Sequence, residues 1–177
     1  MNSESSILIE KEAIKREGRL FLILRPFMAL FMIAVFILYT INPSWMRLCA
    51  FPFPIGLRWI GVVFGTLSLP LLIWVQQTLG RYWSTNLQLR KEHILITTGP
   101  YRWVRHPMYT ALFTFFIAGS LISANWLFIL LTMVVIVGLY IRIGKEEIMM
   151  IEKFGDEYRD YMKRTGRFLP RLIRSRK

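Results

Sequence analysis

Between Leu20 and Ile141 the chain carries four apolar runs, the last two separated only by Ser123-Ala124-Asn125. No other feature restricts the fold as much. Leu20 to Ile41 is apolar but for Arg25, and at about 1.5 Å per residue its roughly 22 residues cross a hydrocarbon core of about 30 Å. Leu57 to Leu79 does the same. The third run, Pro107 to Ser123, and the fourth, Ala124 to Ile141, are shorter, and their three-residue separation predicts a tight antiparallel hairpin that thins the bilayer locally. Hydrophobic residues make up 54% of the chain, and they come in long runs rather than at amphipathic spacing, which places lipid around the helices. The expected fold class is all-α: a polytopic membrane helix bundle of about four transmembrane helices plus a cytoplasmic C-terminal amphipathic helix.

Charge orients these spans. Lys and Arg number four before Leu20, two between Ile41 and Ile60, five from Arg81 to Arg105, none in the Ser123–Asn125 turn and eleven from Arg142 onward. By the positive-inside rule both termini and the segment up to Arg105 face the cytoplasm. The same residues account for the formal net charge of +12 through topology and attraction to anionic membrane lipids. No nucleic-acid-reading module is visible, so no nucleic-acid partner is expected. Residues 1–19 read as a cytoplasmic amphipathic segment, 20–79 as two spans, 80–170 as the functional core and 171–177 as a basic tail.

Several features are structural. One Cys and two His are too few for a usual zinc site, and no metal is expected. The first run lacks a signal-cleavage pattern and reads as an uncleaved span. Gly61 and Gly65 form a GxxxG that permits close helix packing, and Pro70 predicts a kink.

The polar chemistry concentrates in His93–Tyr109, HILITTGPYRWVRHPMY, which holds both histidines. His93-Ile94-Leu95-Ile96 alternates briefly before Thr98-Gly99-Pro100 turns the chain, so an extended piece is expected across the cytoplasmic mouth of the bundle. Pro107 suits the first helical position, which puts His106 at the N-cap and Tyr109 one turn on. The unsatisfied N–H groups of that helix end, with Arg105 and His106 beside them, suit a carboxylate or phosphate. Arg142 and Glu146, four apart, project to one side of a helix. Beyond them Met150, Phe154, Tyr158 and Tyr161 recur at helical spacing, giving an amphipathic helix able to cover the bundle.

The order GPYRWVRHPMY, the hairpin with Asn125-Trp126 at its turn, then Arg142-x3-Glu146-Glu147 and FGDEYRDYMKRTGRFLP, resembles the isoprenylcysteine carboxyl methyltransferase family and its phospholipid N-methyltransferase relatives. The resemblance covers roughly Leu79 to Pro170. It implies an S-adenosyl-L-methionine cofactor bound without a Rossmann fold, consistent with the lack of a strand-GxGxxG-helix pattern. It further implies that the backbone of His93, Ile94, Leu95 and Ile96 contacts adenosine and that Tyr101 lines that pocket. His106, Pro107, Met108 and Tyr109 would hold the methionine end, Glu146 would also bind the cofactor, and Arg142 would face the methyl acceptor. Asn86 stands where the family often has Gln, at a further cofactor contact.

Methyl transfer from a sulfonium is an in-line displacement, so positioning and exclusion of water dominate. A carboxylate acceptor, with pKa near 4, is already ionised, whereas an amine or thiol needs a base, for which Glu147 is the nearby extra candidate. The implied partner is a lipophilic small-molecule or lipidated acceptor, and the implied site is the cytoplasmic face of a prokaryotic plasma membrane. The competing enzyme class is an NADPH-dependent membrane reductase of the sterol type, which carries an RHPxY-like element; Arg142-x3-Glu146-Glu147 before FGDEY favours the methyltransferase.

Overall fold

The architecture is that of a computed structural model describing residues 19–42, 44–80 and 94–171, with side chains from residue 26. The expectations for the N-terminal segment up to residue 18, for Asn86 and His93, and for the tail from residue 172 lie outside the described residues.

Among the described residues, five α-helices follow in order: α1 (Arg19–Ile41), α2 (Ile55–Leu79), α3 (Pro107–Ser123), α4 (Trp126–Phe154) and α5 (Asp156–Arg164). Short 3-10 turns, Trp45–Cys49 and Gly99–Arg102, precede α2 and α3. Among the described residues, strand-like pairing is limited to two isolated bridges, Ala50 with Asn125 and Val104 with Gly166.

The α3–α4 hairpin forms as its sequence predicts. Ala124 adopts the left-handed conformation, φ 49°, and Asn125 caps α4 by accepting from the Leu127 N–H at 2.9 Å. The other end of the Asn125 amide donates to the Met46 carbonyl at 2.9 Å, so one buried side chain ties the hairpin to the α1–α2 connection. Along the hairpin Ser120 and Thr132 pair their hydroxyls at 2.8 Å, and Thr132 reaches the Phe116 carbonyl at 3.1 Å. Such bonds join helices where apolar contact gains nothing over lipid.

Helix α2 docks on α3 through its small residues. A Cβ on Gly61 would lie 2.9 Å from Leu121 Cβ and 3.0 Å from the Ala118 carbonyl oxygen, whereas one on Gly65 would meet Ala118 Cβ at an ordinary 3.5 Å. Gly61 is therefore the closer approach of the GxxxG pair.

The fourth apolar run does not end as a helix at Ile141. Helix α4 continues to Phe154, because nothing between these positions breaks a helix. Gly155, at φ +54°, ends it. The expected single amphipathic helix is thus divided: Met150 and Phe154 sit on α4, while Tyr158 and Tyr161 belong to α5, where both are buried. A nine-residue helix is marginal by itself. Tyr158 and Tyr161 anchor it, and acidic Asp156 and Glu157 at its start and basic Lys163 and Arg164 at its end complement its dipole.

Only 17% of the most apolar stretch of α2 and 22% of that of α4 is buried within the protein. The core helix of a soluble protein would bury most of such a surface, so these faces require lipid. Among the described residues, two helices, α2 and α4, are long and apolar enough to cross a bilayer by themselves; Pro26–Ile41 and Pro107–Ser123 are shorter apolar helices.

Candidate active site

The site lies where the start of α3, the second half of α4 and the chain following α5 converge. His106 is the N-cap of α3 and Pro107 its first residue, as the sequence predicts. This places Tyr109 on the inner face of α3, opposite Arg142 and Glu146 of α4. Tyr109 Oη donates to Glu146 Oε1 at 2.5 Å, and Arg142 Nε donates to Tyr109 Oη at 3.0 Å and to Glu146 Oε1 at 3.1 Å. Arg142 and Tyr109 are buried. The hairpin thus assembles three side chains, distant in sequence, into one hydrogen-bonded unit.

A second unit adjoins it. Glu147 Oε1 accepts from Arg105 Nε and His106 Nε2, each at 3.1 Å, and Arg167 Nη2 lies 3.0 Å from Glu147 Oε2. Arg105 Nη1 also donates to the carbonyls of Met162, at 3.1 Å, and Thr165, at 2.7 Å, satisfying groups at the C-terminal end of α5. Arg167 stacks on Tyr140 and Phe168, with its guanidinium 5.1 Å and 5.8 Å from the ring centres.

The return of the chain after α5 makes this possible. Arg105 N donates to the Gly166 carbonyl at 2.8 Å and His106 N to the Arg167 carbonyl at 3.1 Å. Thr110 Oγ1 donates to the Phe168 carbonyl at 2.9 Å. Tyr161 Oη, donating to the Tyr101 carbonyl at 2.6 Å, ties α5 to the Gly99–Arg102 turn. Burial pushes the Tyr161 and Tyr158 phenols above their ordinary range. Burial, followed by the fields of Tyr161 and Glu146, does the same to Tyr101. All three phenols remain protonated.

Residues 94–97 have no regular structure. Thr78, Leu79 and Gly80 at the end of α2, with Ile94, Leu95 and Ile96, line a cleft of about 400 Å³. Gly99 turns the segment with φ +57° and approaches Thr78 closely.

Of the predicted site residues, His106, Pro107, Tyr109, Arg142 and Glu146 come together, with Tyr101 close enough to feel Glu146. Ile94, Leu95 and Ile96 line the cleft, and half-buried Met108 follows Pro107 on α3. Arg105, expected to attract a ligand anion, has protein partners instead, and so does Glu147. Arg167, Phe168 and Tyr161 were not singled out from sequence for these contacts. Their spacing relative to Glu147 and Tyr101 has no local period, so only the docked fold reveals them.

A lipid-facing helical bundle with a buried cluster of carboxylates and guanidiniums at one end defines a membrane protein with a polar cluster at one end of its bundle. Residues 59–152 match the model of the isoprenylcysteine carboxyl methyltransferase (ICMT) family, and the chain belongs to that family. It is 33% identical over 81 residues to protein-S-isoprenylcysteine O-methyltransferase of Schizosaccharomyces pombe, covering 45% of this chain and 34% of that protein. Similarity to methanethiol S-methyltransferase 1 of Bradyrhizobium diazoefficiens is 36% over 70 residues, 40% of this chain and 24% of the relative. The solved structure of the eukaryotic intramembrane Ras methyltransferase ICMT shares the fold, with a TM-score of 0.59 at 23% identity over 97% of this chain and 54% of that one. The chain therefore spans about a third of the first relative's length and about half that of the solved structure. The family fold and the lipid-facing helices make it an integral membrane protein.

Proposed function

We propose that the protein is a membrane methyltransferase that draws a methyl group from S-adenosyl-L-methionine and passes it to a lipophilic acceptor at the cytoplasmic face. Four spans, α1 to α4, with the site on the Lys- and Arg-rich side, complete the proposal. The observation that carries it is the Tyr109–Glu146–Arg142 unit beside His106, on residues 59–152 that match the family.

The residues suit that cofactor chemically. S-adenosyl-L-methionine supplies an electrophilic methyl on a sulfonium, next to an ammonium and a carboxylate. Glu146 offers a carboxylate to a cationic or hydroxyl group, and the phenols of Tyr101 and Tyr109 present aromatic faces suited to a cation. The cleft of about 400 Å³ beside Ile94–Ile96 falls within the range of roughly 300–1,000 Å³ typical of small-ligand sites. Residues 94–97 carry peptide N–H and C=O groups outside any helix, and these can pair with a nucleoside edge.

The protein's own work is to bind, orient and keep out water. Tyr109 and Arg142 fix the Glu146 carboxylate, and the Thr165–Phe168 strap closes over the start of α3. Arg142 orients the acceptor. The exposed apolar faces of the helices offer that acceptor a lateral route from the bilayer.

Saturation binding of S-adenosyl-L-methionine and, in parallel, NADPH to the detergent-purified protein tests the proposal. Methyl-donor binding without NADPH binding is expected; the reverse would sink it. Labelled methyl donor offered with total lipid extract and a panel of lipophilic carboxylates, thiols and amines then identifies the acceptor class.

A further inference from the structure

Glu147 is unsuited to touching a ligand itself. Both oxygens are occupied, by Arg105 and His106 on one and Arg167 on the other, and its side chain is only 12% exposed. Each partner is held in turn: Arg105 by two carbonyls near the end of α5, Arg167 by the Tyr140 and Phe168 rings, and the His106 ring by Phe168, 6.3 Å between centres. The carboxylate is therefore fixed from several elements at once.

An ionised carboxylate only accepts hydrogen bonds. A contact of 3.1 Å to His106 Nε2 thus requires the proton on Nε2. The other nitrogen, Nδ1, lies 4.0 Å from Glu146 Oε2. That is too long for a hydrogen bond between the two, yet one nitrogen donor can sit within hydrogen-bond distance of both. With Nδ1 bare, it and Glu146 Oε2 would be two acceptors at a spacing that an ammonium, with more than one N–H group, can bridge.

We propose that Glu147 is a positioning residue. It holds His106 as the Nε2–H tautomer, so that Nδ1 and Glu146 Oε2 form a paired acceptor for the ammonium of the methyl donor. The ammonium half of this statement rests on the function proposed above; the tautomer half does not.

The chain contains two histidines, so the nitrogen spectrum of protein labelled with ¹⁵N-histidine resolves each ring, and its comparison with His106→Gln assigns His106. The wild type should show protonated Nε2 and bare Nδ1, with the Nδ1 resonance moving when S-adenosyl-L-methionine is added. Glu147→Gln, which retains a carbonyl acceptor, should keep the tautomer and bind the methyl donor within about threefold of wild type. Glu147→Leu should release the ring into mixed tautomers and weaken binding about tenfold, the loss expected when one hydrogen bond to a charged group is removed.

An Nδ1–H tautomer in the wild type overturns the assignment to Glu147, whether or not the Leu variant folds. So does a Leu variant that keeps both tautomer and affinity. A wild type with bare Nδ1 that fails to bind S-adenosyl-L-methionine refutes the ammonium pairing and the proposed function together, while the effect of Glu147 on the ring stands on the spectrum alone.

Discussion

Tyr109→Phe removes one oxygen from the centre of the site. That oxygen donates to Glu146 at 2.5 Å and accepts from Arg142 at 3.0 Å. Hydrogen bonds to charged groups are each worth about 1.5–3 kcal/mol. After the substitution Arg142 still reaches Glu146 Oε1 at 3.1 Å, so each keeps a charged partner and the lower end applies, about 1.5 kcal/mol. At about 2–4 °C per kcal/mol for a chain of this size, the detergent-solubilised protein should unfold about 3–6 °C lower. Arg142→Met should cost about 2 kcal/mol, less than the roughly 3–5 kcal/mol for breaking a fully buried pair, because the Glu146 side chain is 25% exposed. In the double variant the shared bond is lost only once, and the total should fall short of the sum by about 1 kcal/mol. Turnover of Tyr109→Phe should drop at least about tenfold, equivalent to about 1.4 kcal/mol in the barrier. Additivity within about 0.5 kcal/mol, with turnover unchanged, would refute the view that the three side chains act as a unit.

Other substitutions test the frame around the site. Gly61→Ala should lower the unfolding temperature, at a cost of about 1–3 kcal/mol from overpacking, while Gly65→Ala leaves it nearly unchanged; equal effects would contradict the close approach to Ala118 and Leu121. Asn125→Ala loses a helix cap, about 1 kcal/mol, and leaves the Met46 carbonyl without its donor, about 1–3 kcal/mol more, and thermal unfolding should register both. A Cβ on Gly166 would run into the Leu169 carbonyl oxygen, so Gly166→Ala should displace the strap and be read as weakened methyl-donor binding by calorimetry. His106→Ala and Glu146→Ala should each weaken that binding as well, and unaltered isotherms would remove both from the proposed cofactor site.

Much of the frame is legible in the residues because its signals are local. Pro107 starts α3 and Ser123 ends it, as predicted, since proline at the first helical position and the polar break at Ser-Ala-Asn act within a turn. Arg142 and Glu146 pair because four residues are about one helical turn. Loss of hydrophobicity at Arg142 marks the edge of lipid, not the end of a helix. Only Gly155, well past Ile141, supplies a conformational stop.

By itself the sequence determined that this chain is a lipid-facing helical bundle, where its hairpin turns, and which polar segments gather at one end. Apolar run length, caps and charge bias depend on neighbouring residues and on the bilayer, so they survive without knowledge of the fold. The tertiary structure decided what each charge does. Arg105 and Glu147, 42 residues apart, became each other's partners, and Arg167 joined them because α5 returns the chain alongside residues 103–106. Partner choice among five neighbouring charged groups turns on contacts of about 3 Å, and helix docking, not spacing along the chain, sets distances of that size.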